Sequence, residues 1–245
     1  MQGAASRQLR KRSDQGYDHR RAEPMRKILR FIITHFAFHV LAKVDRIEGV
    51  ENIPAKGPAI IIYNHIAFVD PVIILGKLPR NVVPLAKQEV YEYPIWGIFP
   101  KLWQVIPVRR GEFDRTAIRK ALQVLDAGEI LLIAPEGTRN PSLRDAKVGV
   151  AYLATRTGAP IIPAAVYGSK GFPTKDLKRW RQPGAVIKLG KPFRFRTGGQ
   201  RVGREGLRRM TDEAMYILAG LLPEELRGEY SDMDKATTDT IEYLE

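Results

Sequence analysis

The 245-residue chain contains no cysteine. That excludes disulfide staples, thiolate catalysis and cysteine-ligated zinc, and it fits a cytosolic compartment. Histidine is scarce: His19, His35, His39 and His65 are the four, and no pair has H-E-x-x-H spacing, so no metal centre is expected. The uninterrupted apolar runs fall short of the ~18–20 residues that span a bilayer. No small-residue cleavage site follows the N-terminal apolar stretch, so a signal peptide is not expected. A hydrolase-type G-x-S-x-G elbow is also missing, because Tyr167 stands where its first glycine would be.

What the chain has in excess is positive charge, a formal net of +13. Residues 1–30 carry nine Lys/Arg against three Asp/Glu, residues 170–209 thirteen against two, and residues 211–245 two against ten. A basic body with an acidic C-terminus implies an anionic partner. No recognition helix, zinc finger or RNP-type aromatic motif accompanies the charge, so anionic lipid is the expected partner and nucleic acid is not.

Length and a 44% hydrophobic content suit one α/β domain with a substantial core. Residues 1–23 are polar and basic without apolar periodicity and read as a disordered arm. Pro24 then opens a helical stretch, 24–46, whose Leu29, Ile32, Ile33, Phe36 and Val40 form one apolar stripe. Arg26, Arg30 and Thr34 line a second face and His35, His39 and Lys43 a third. Two readings stay open: an interfacial helix that carries basic residues to anionic lipid, and a helix packed on the domain. Both hold if different faces do different work.

Residues 47–222 alternate strand-like apolar runs with helical periodicity. That predicts a largely parallel central sheet flanked by helices. The aromatics Tyr91, Tyr93, Trp96, Phe99 and Trp103, interrupted by Pro94 and Gly97, read as core, acyl-chain channel or interfacial belt. Residues 223–245 form an acidic tail with few signals of order.

The most informative stretch is Asn64–Asp70, NHIAFVD, between the apolar runs Ala59–Tyr63 and Pro71–Leu75. On one helix, residues five apart would point about 140° away from each other. His65 and Asp70 meet only if the chain leaves a strand, turns and enters a helix. Asp70 as N-cap and Pro71 at the first helical position supply that turn. One Asp70 oxygen is then expected to cap the helix while the other holds the imidazole, giving a base with an orienting carboxylate.

Two more polar loops follow predicted strands: Val108-Arg109-Arg110-Gly111 and Pro135-Glu136-Gly137-Thr138-Arg139. Ligands of open α/β sheets bind beyond the carboxyl ends of strands, so all three loops share one rim. Arginines there would fork onto phosphate oxygens. Singly, each motif has an ordinary reading: a solvated Arg109–Arg110 pair, a turn at Gly137, a Glu136–Arg139 pair.

Together the blocks resemble the glycerolipid acyltransferase family, whose best-known members acylate lysophosphatidic acid. NHIAFVD, VIPVRRG, APEGTRN and APIIPAAV follow its four blocks in order, with IEGVENIP as lead-in, over about 47–167. Ala134 stands in place of a common phenylalanine and Asn140 in place of a common serine. The resemblance implies that His65, held by Asp70, takes the proton of a glycerol hydroxyl, which attacks an acyl thioester directly. It implies a substrate-binding set of Asn64, Arg109, Arg110, Glu136, Gly137, Thr138 and Arg139, with Arg110 and Arg139 on the acceptor phosphate. No cofactor is required beyond acyl-CoA or acyl-carrier protein as donor, and the basic 170–209 segment would suit an acidic carrier. The expected product is phosphatidic acid, made by an enzyme lying peripherally on the cytoplasmic face of a membrane. A different lysophospholipid, aminolipid or glycolipid acceptor, or a non-catalytic basic lipid-binding protein, are the alternatives.

Overall fold

The computed structural model describes residues 19–94, 96–109 and 114–244. Most of the basic arm, residues 1–18, lies outside them. In chain order the strands are β1 Val44–Glu48, β2 Ala59–Tyr63, β3 Val82–Lys87, β4 Ile106–Val108, β5 Ile130–Ile133, β6 Ile161–Tyr167, β7 Ala185–Leu189, β8 Phe193–Phe195 and β9 Ile241–Tyr243. The α-helices are α1 His19–His35, α2 Asp70–Lys77, α3 Ile98–Trp103, α4 Arg115–Asp126, α5 Gly149–Thr157, α6 Leu177–Arg181 and α7 Arg204–Gly220.

The strands form one sheet in the order β1-β7-β6-β2-β5-β3-β4, with β8 against β6 and β9 against β8. Strands β6, β2, β5, β3 and β4 are mutually parallel, and β7 runs against β6. The architecture is therefore α/β with a mostly parallel, mixed sheet. Apolar runs such as AIIIY in β2 and ILLI in β5 are buried throughout, as strands covered on both faces require. Alternate side chains feed two cores. Ile60, Ile62, Leu131 and Ile133 face α4, α5 and α7, while Ala59, Ile61, Tyr63, Ile130 and Leu132 face α1, α2 and α3. Because the central strands are parallel, the loops after Tyr63, Lys87, Val108, Ile133 and Tyr167 leave from one rim.

Two expectations need correction. The N-terminal helix begins by His19, with Pro24 inside it, and it ends at His35 rather than near residue 46. Pro24 is solvent-facing, where water can take the carbonyl that its missing N–H leaves over. After His35 the chain turns so that Phe38 folds over Gly76, where a side chain would collide at 2.6 Å with Ile33 and Phe38. The helix is also inverted relative to its pattern. The polar face docks: Arg30 Nη1 donates to Pro79 O at 2.9 Å and Thr34 Oγ1 to Gly76 O at 3.0 Å. Of the apolar stripe only Ile33 is buried, while Ile32, Phe36 and Val40 are exposed, with Ile28 and Phe31 beside them.

The segment after Pro223 is packed rather than loose. Leu143 N donates to Leu226 O and Glu229 N to Leu143 O, at 3.0 and 3.1 Å. Buried Glu213 of α7 accepts from Thr237 Oγ1 at 2.9 Å and Thr240 N at 3.0 Å, which places Ile241 for β9. Charge dominates this stretch in sequence, but isolated Tyr230 and Ile241 supply its buried anchors.

Helix α1 is latched through a buried ion pair. Fully buried Arg26 donates from Nη1 to Glu129 Oε2 at 2.9 Å and from Nε to Trp103 O at 2.8 Å. Burial outweighs pairing in both partners, pushing the Glu129 carboxyl up to about 7 and the Arg26 guanidinium down to about 10. Removing one partner of such a pair leaves the other buried and costs ~3–5 kcal/mol, whereas an apolar pair of similar volume is near neutral. We therefore expect Glu129→Leu to destabilise by about 3 kcal/mol in urea unfolding, and Glu129→Leu with Arg26→Met to recover most of it. Equal losses in the single and double variants would show that the pair does not act as a unit.

Candidate active site

His65 and Asp70 meet in the turn between β2 and α2, but the carboxylate does not cap the helix as expected. Val69 is the N-cap, and its side chain makes no cap bond. Asp70 is instead the first helical residue and points back into its own loop. Its Oδ2 accepts from Ile66 N and Ala67 N, both at 2.7 Å, and lies 3.1 Å from His65 Nδ1. Its Oδ1 accepts from Ser169 Oγ at 2.5 Å. Asp70 is completely buried, and these four donors satisfy both of its oxygens inside the protein. An ionised carboxylate only accepts, so Nδ1 carries the His65 proton and Nε2 is left as the basic nitrogen.

Ser169 is the residue that sequence reading missed. It follows β6, 99 residues from Asp70, and is itself fully buried. Gly168 makes the turn that delivers it, with φ +75 and a backbone so tight that a Cβ would lie 2.3 Å from Gly184 O. The stretch invited attention only as a failed hydrolase elbow; its serine bonds to the dyad's carboxylate.

Asn64 sits immediately before His65 and is buried. Its Nδ2 donates to Val166 O and its Oδ1 accepts from Val166 N, both at 2.7 Å. The expected substrate contact is thus a brace between β2 and β6. Glu136 is buried too, and makes no hydrogen bond or ion pair with Arg139 among the described residues. Its Oε2 accepts from Asn140 Nδ2 at 2.6 Å and Arg144 N at 3.2 Å, and the carboxyl also accepts the His65 backbone N–H. Asn140 N donates in turn to His65 O at 2.9 Å. The loop after β5 therefore grips both sides of the His65 peptide. Burial is the main reason the Glu136 carboxyl is pushed up to about 7.

The cations line the open side of the rim. Arg139 and Thr138 are exposed, on the loop after the strand next to β2. Gly137, at φ +72, lets the loop turn beneath Lys147, whose ammonium lies 3.4 Å from where a Cβ would stand. Lys147 is a rim cation that no motif announced. Arg109 leaves β4, three strands from β2 or roughly 14 Å at ordinary strand spacing, with its Nε on Gln88 Oε1 at 3.3 Å. It lies beyond direct reach of His65 and suits a substrate lying along the rim. Lys87, at the end of β3, stands between them. Arg110 lies outside the described residues. Among the described residues no cluster of acidic and histidine side chains could hold a metal ion.

A family model described as Acyltransferase matches residues 45–167. The chain is 36% identical over 135 residues to the 1-acyl-sn-glycerol-3-phosphate acyltransferase of Borreliella burgdorferi, covering 54% of each. It is 27% identical over 168 residues to the enzyme of that name from Bacillus subtilis, covering 68% of this chain and 82% of that one. The first match spans about half the length of its relative. The crystal structure of the 1-acyl-sn-glycerophosphate (LPA) acyltransferase from Thermotoga maritima shares the fold, with a TM-score of 0.56 at 23% identity, covering 93% of this chain and 88% of that one.

Two variants test the supports of the base. Ser169→Ala leaves a buried Asp70 oxygen without its donor, and hydrogen bonds to charged groups are worth ~1.5–3 kcal/mol. It should lower kcat about 10–100-fold with little change in KM, and Ser169→Thr should recover part of the loss; a wild-type kcat in Ser169→Ala would remove the serine from the machinery. Glu136 accepts its three N–H groups best as a carboxylate, so its raised pKa means this grip weakens as pH falls through about 7. The acid limb of kcat/KM should therefore be steeper than one proton, and Glu136→Gln should remove the extra steepness.

Proposed function

The chain belongs to the acyltransferase family, and from that premise we propose that it moves a fatty acyl group from an acyl thioester to the free hydroxyl of 1-acyl-glycerol-3-phosphate, forming phosphatidic acid. The observation that carries the reading is the buried, four-donor Asp70 holding His65 by Nδ1 beside a rim of cations. Nε2 of His65 takes the hydroxyl proton as the acceptor oxygen attacks the thioester carbonyl. As the tetrahedral intermediate collapses, the carbon–sulfur bond breaks and the imidazolium returns the proton to the leaving thiolate. The transfer is direct: no serine or cysteine intermediate is needed, and the buried Ser169 is occupied with Asp70. Arg139, on the loop adjoining the base, is the residue best placed to fork onto the acceptor phosphate. Arg109 lies farther along the same rim. The donor is a thioester of coenzyme A or of an acyl-carrier protein.

We further propose that the protein works from the cytoplasmic surface of a membrane as a peripheral enzyme. What supports this is the inverted α1, which turns its polar face to the protein and Ile28, Phe31, Ile32 and Phe36 outward. Trp96, Ile98 and Leu102 extend the exposed apolar surface, and Trp96 stacks edge-on against Phe68 of the NHIAFVD loop at 5.9 Å. Among the described residues no helix is long and apolar enough to cross a membrane.

The test offers purified protein one acyl thioester and a panel of acceptors. General-base loss is worth ~10²–10⁴-fold, so His65→Ala should remove turnover by that factor while the fold survives. Arg139→Ala should cost roughly 10–150-fold in kcat/KM on the phosphate-bearing acceptor and much less on a monoacylglycerol, with Arg139→Lys intermediate. A wild-type preference for uncharged or amine-bearing acceptors, or equal losses across the panel, would transfer the assignment to another acceptor and leave acyl transfer standing.

A further inference from the structure

The basic segment 170–209 divides in space. Arg194 lies in β8 with Lys191 and Arg196 on either side of it; β8 pairs with the amino end of β6, at the end of the sheet away from the dyad. Lys170, Lys175, Lys178 and Arg181 lie on the β6–β7 connection, which leaves the rim immediately after Ser169. All four are exposed, and none makes a side-chain hydrogen bond or ion pair among the described residues. Arg179 is different: it donates to Gly168 O, Lys170 O and Pro183 O and lies 4.1 Å over the Phe172 ring, so it shapes the connection. The carboxylate of Asp176 is spent capping α6 at Lys178 N, 2.9 Å away. Leu177 is 71% exposed, an apolar side chain with Lys175, Lys178 and Arg181 within four residues of it in sequence.

This connection sits on the same face of the sheet as α1, α2 and α3. Phe172 and Trp180 pack into the core that holds Ile33 and Trp103, not the one beneath α4, α5 and α7. The stretch leading from α1 into β1 touches it directly, since Lys43 Nζ donates to Gln182 O at 3.0 Å. Lys43, three residues after the exposed Val40, thus ties the segment following α1 to the connection that carries Leu177 and its exposed cations. Apolar residues flanked by basic ones match the boundary between acyl chains and anionic headgroups.

We propose that the Lys170–Arg181 connection is a second membrane foot, in which Leu177 enters the interface and Lys175, Lys178 and Arg181 bind the headgroups of anionic phospholipids. An acidic protein could answer the charges, but a bilayer answers the charges, Leu177 and the exposed face of α1 in one surface. The inference extends the peripheral-membrane reading above. It places the His65 rim at headgroup depth, where the phosphate and free hydroxyl of a lysophospholipid lie.

The experiment is partition of the full chain, without substrates, into phosphatidylcholine vesicles and into phosphatidylcholine vesicles containing phosphatidylserine. Each basic side chain near an anionic surface contributes about fivefold, so Lys175→Gln with Lys178→Gln and Arg181→Gln should weaken binding to the anionic vesicles by roughly a hundredfold. Binding to neutral vesicles should hardly change, and Leu177→Ser should weaken binding to both. Phe31→Ser with Phe36→Ser, on α1, should lower neutral-vesicle binding while preserving the preference for phosphatidylserine. That separates failure of the foot from failure of α1 as an anchor, and turnover of a dispersed short-chain acceptor reports on the chemistry independently. Unchanged partition of the triple variant into anionic vesicles overturns the proposal. A raised KM for an acyl-carrier thioester alone, with vesicle binding intact, would reassign the connection to a carrier protein.

Discussion

A completely buried carboxylate is the constraint on which this site depends. A buried side chain with unmatched polar atoms is costly, and Asp70 is tolerated in the interior because four donors converge on it. Two come from the peptide groups of its own loop, one from the base and one from Ser169. The sheet makes this possible, because β2 and β6 are parallel neighbours whose carboxyl ends deliver both partners to one point. Asn64 fixes that adjacency through Val166, two residues before Gly168 and three before Ser169. The orientation of the imidazole is thus a property of the sheet as much as of the motif.

The features legible in the sequence were those with a period or a short-range pattern. Buried runs marked the central strands, alternation of strand and helix marked the α/β class, and His65 with Asp70 five residues on marked the turn. Asp114, a residue type favoured at helix starts, caps α4 by accepting from Thr116 N and Ala117 N. What stayed hidden depends on contacts between distant residues. Ser169 had no local mark of its partnership. Neither β8 nor β9 was anticipated, because each is three residues long and β9 lies in acidic sequence. Its position comes from Glu213, a charged residue that is buried because three donors from residues 237–240 reach it.

Helix α1 shows why a correct pattern leaves open which face the domain buries. Its apolar stripe was found, and the usual inference is that such a stripe faces the core. Here Arg26 reaches Glu129 and Trp103, Arg30 reaches Pro79, and Thr34 reaches Gly76, so the polar face has the better partners inside. Periodicity reports that a helix has two faces; it does not report which one the domain can satisfy. A buried arginine with a carboxylate and a carbonyl in reach docks the helix and leaves the apolar side exposed.

The same distinction applies to Glu136. In a motif followed by Gly137, Thr138 and Arg139, a glutamate and an arginine look like equivalent polar ligands. Burial separates them. Arg139 is exposed and carries a charge that no described neighbour neutralises, so it can meet an anion without losing an existing partner. Glu136 accepts from Asn140, from Arg144 and from the His65 backbone, so recruiting it to a substrate would release the peptide that carries the base. Asn140, which departs from the residue expected after the arginine, is itself part of this grip through both its amide side chain and its backbone N–H. A polar block at the end of a strand can therefore hold two jobs in consecutive residues: the buried ones fix the His65 peptide, and the exposed ones are left with open side chains on the rim.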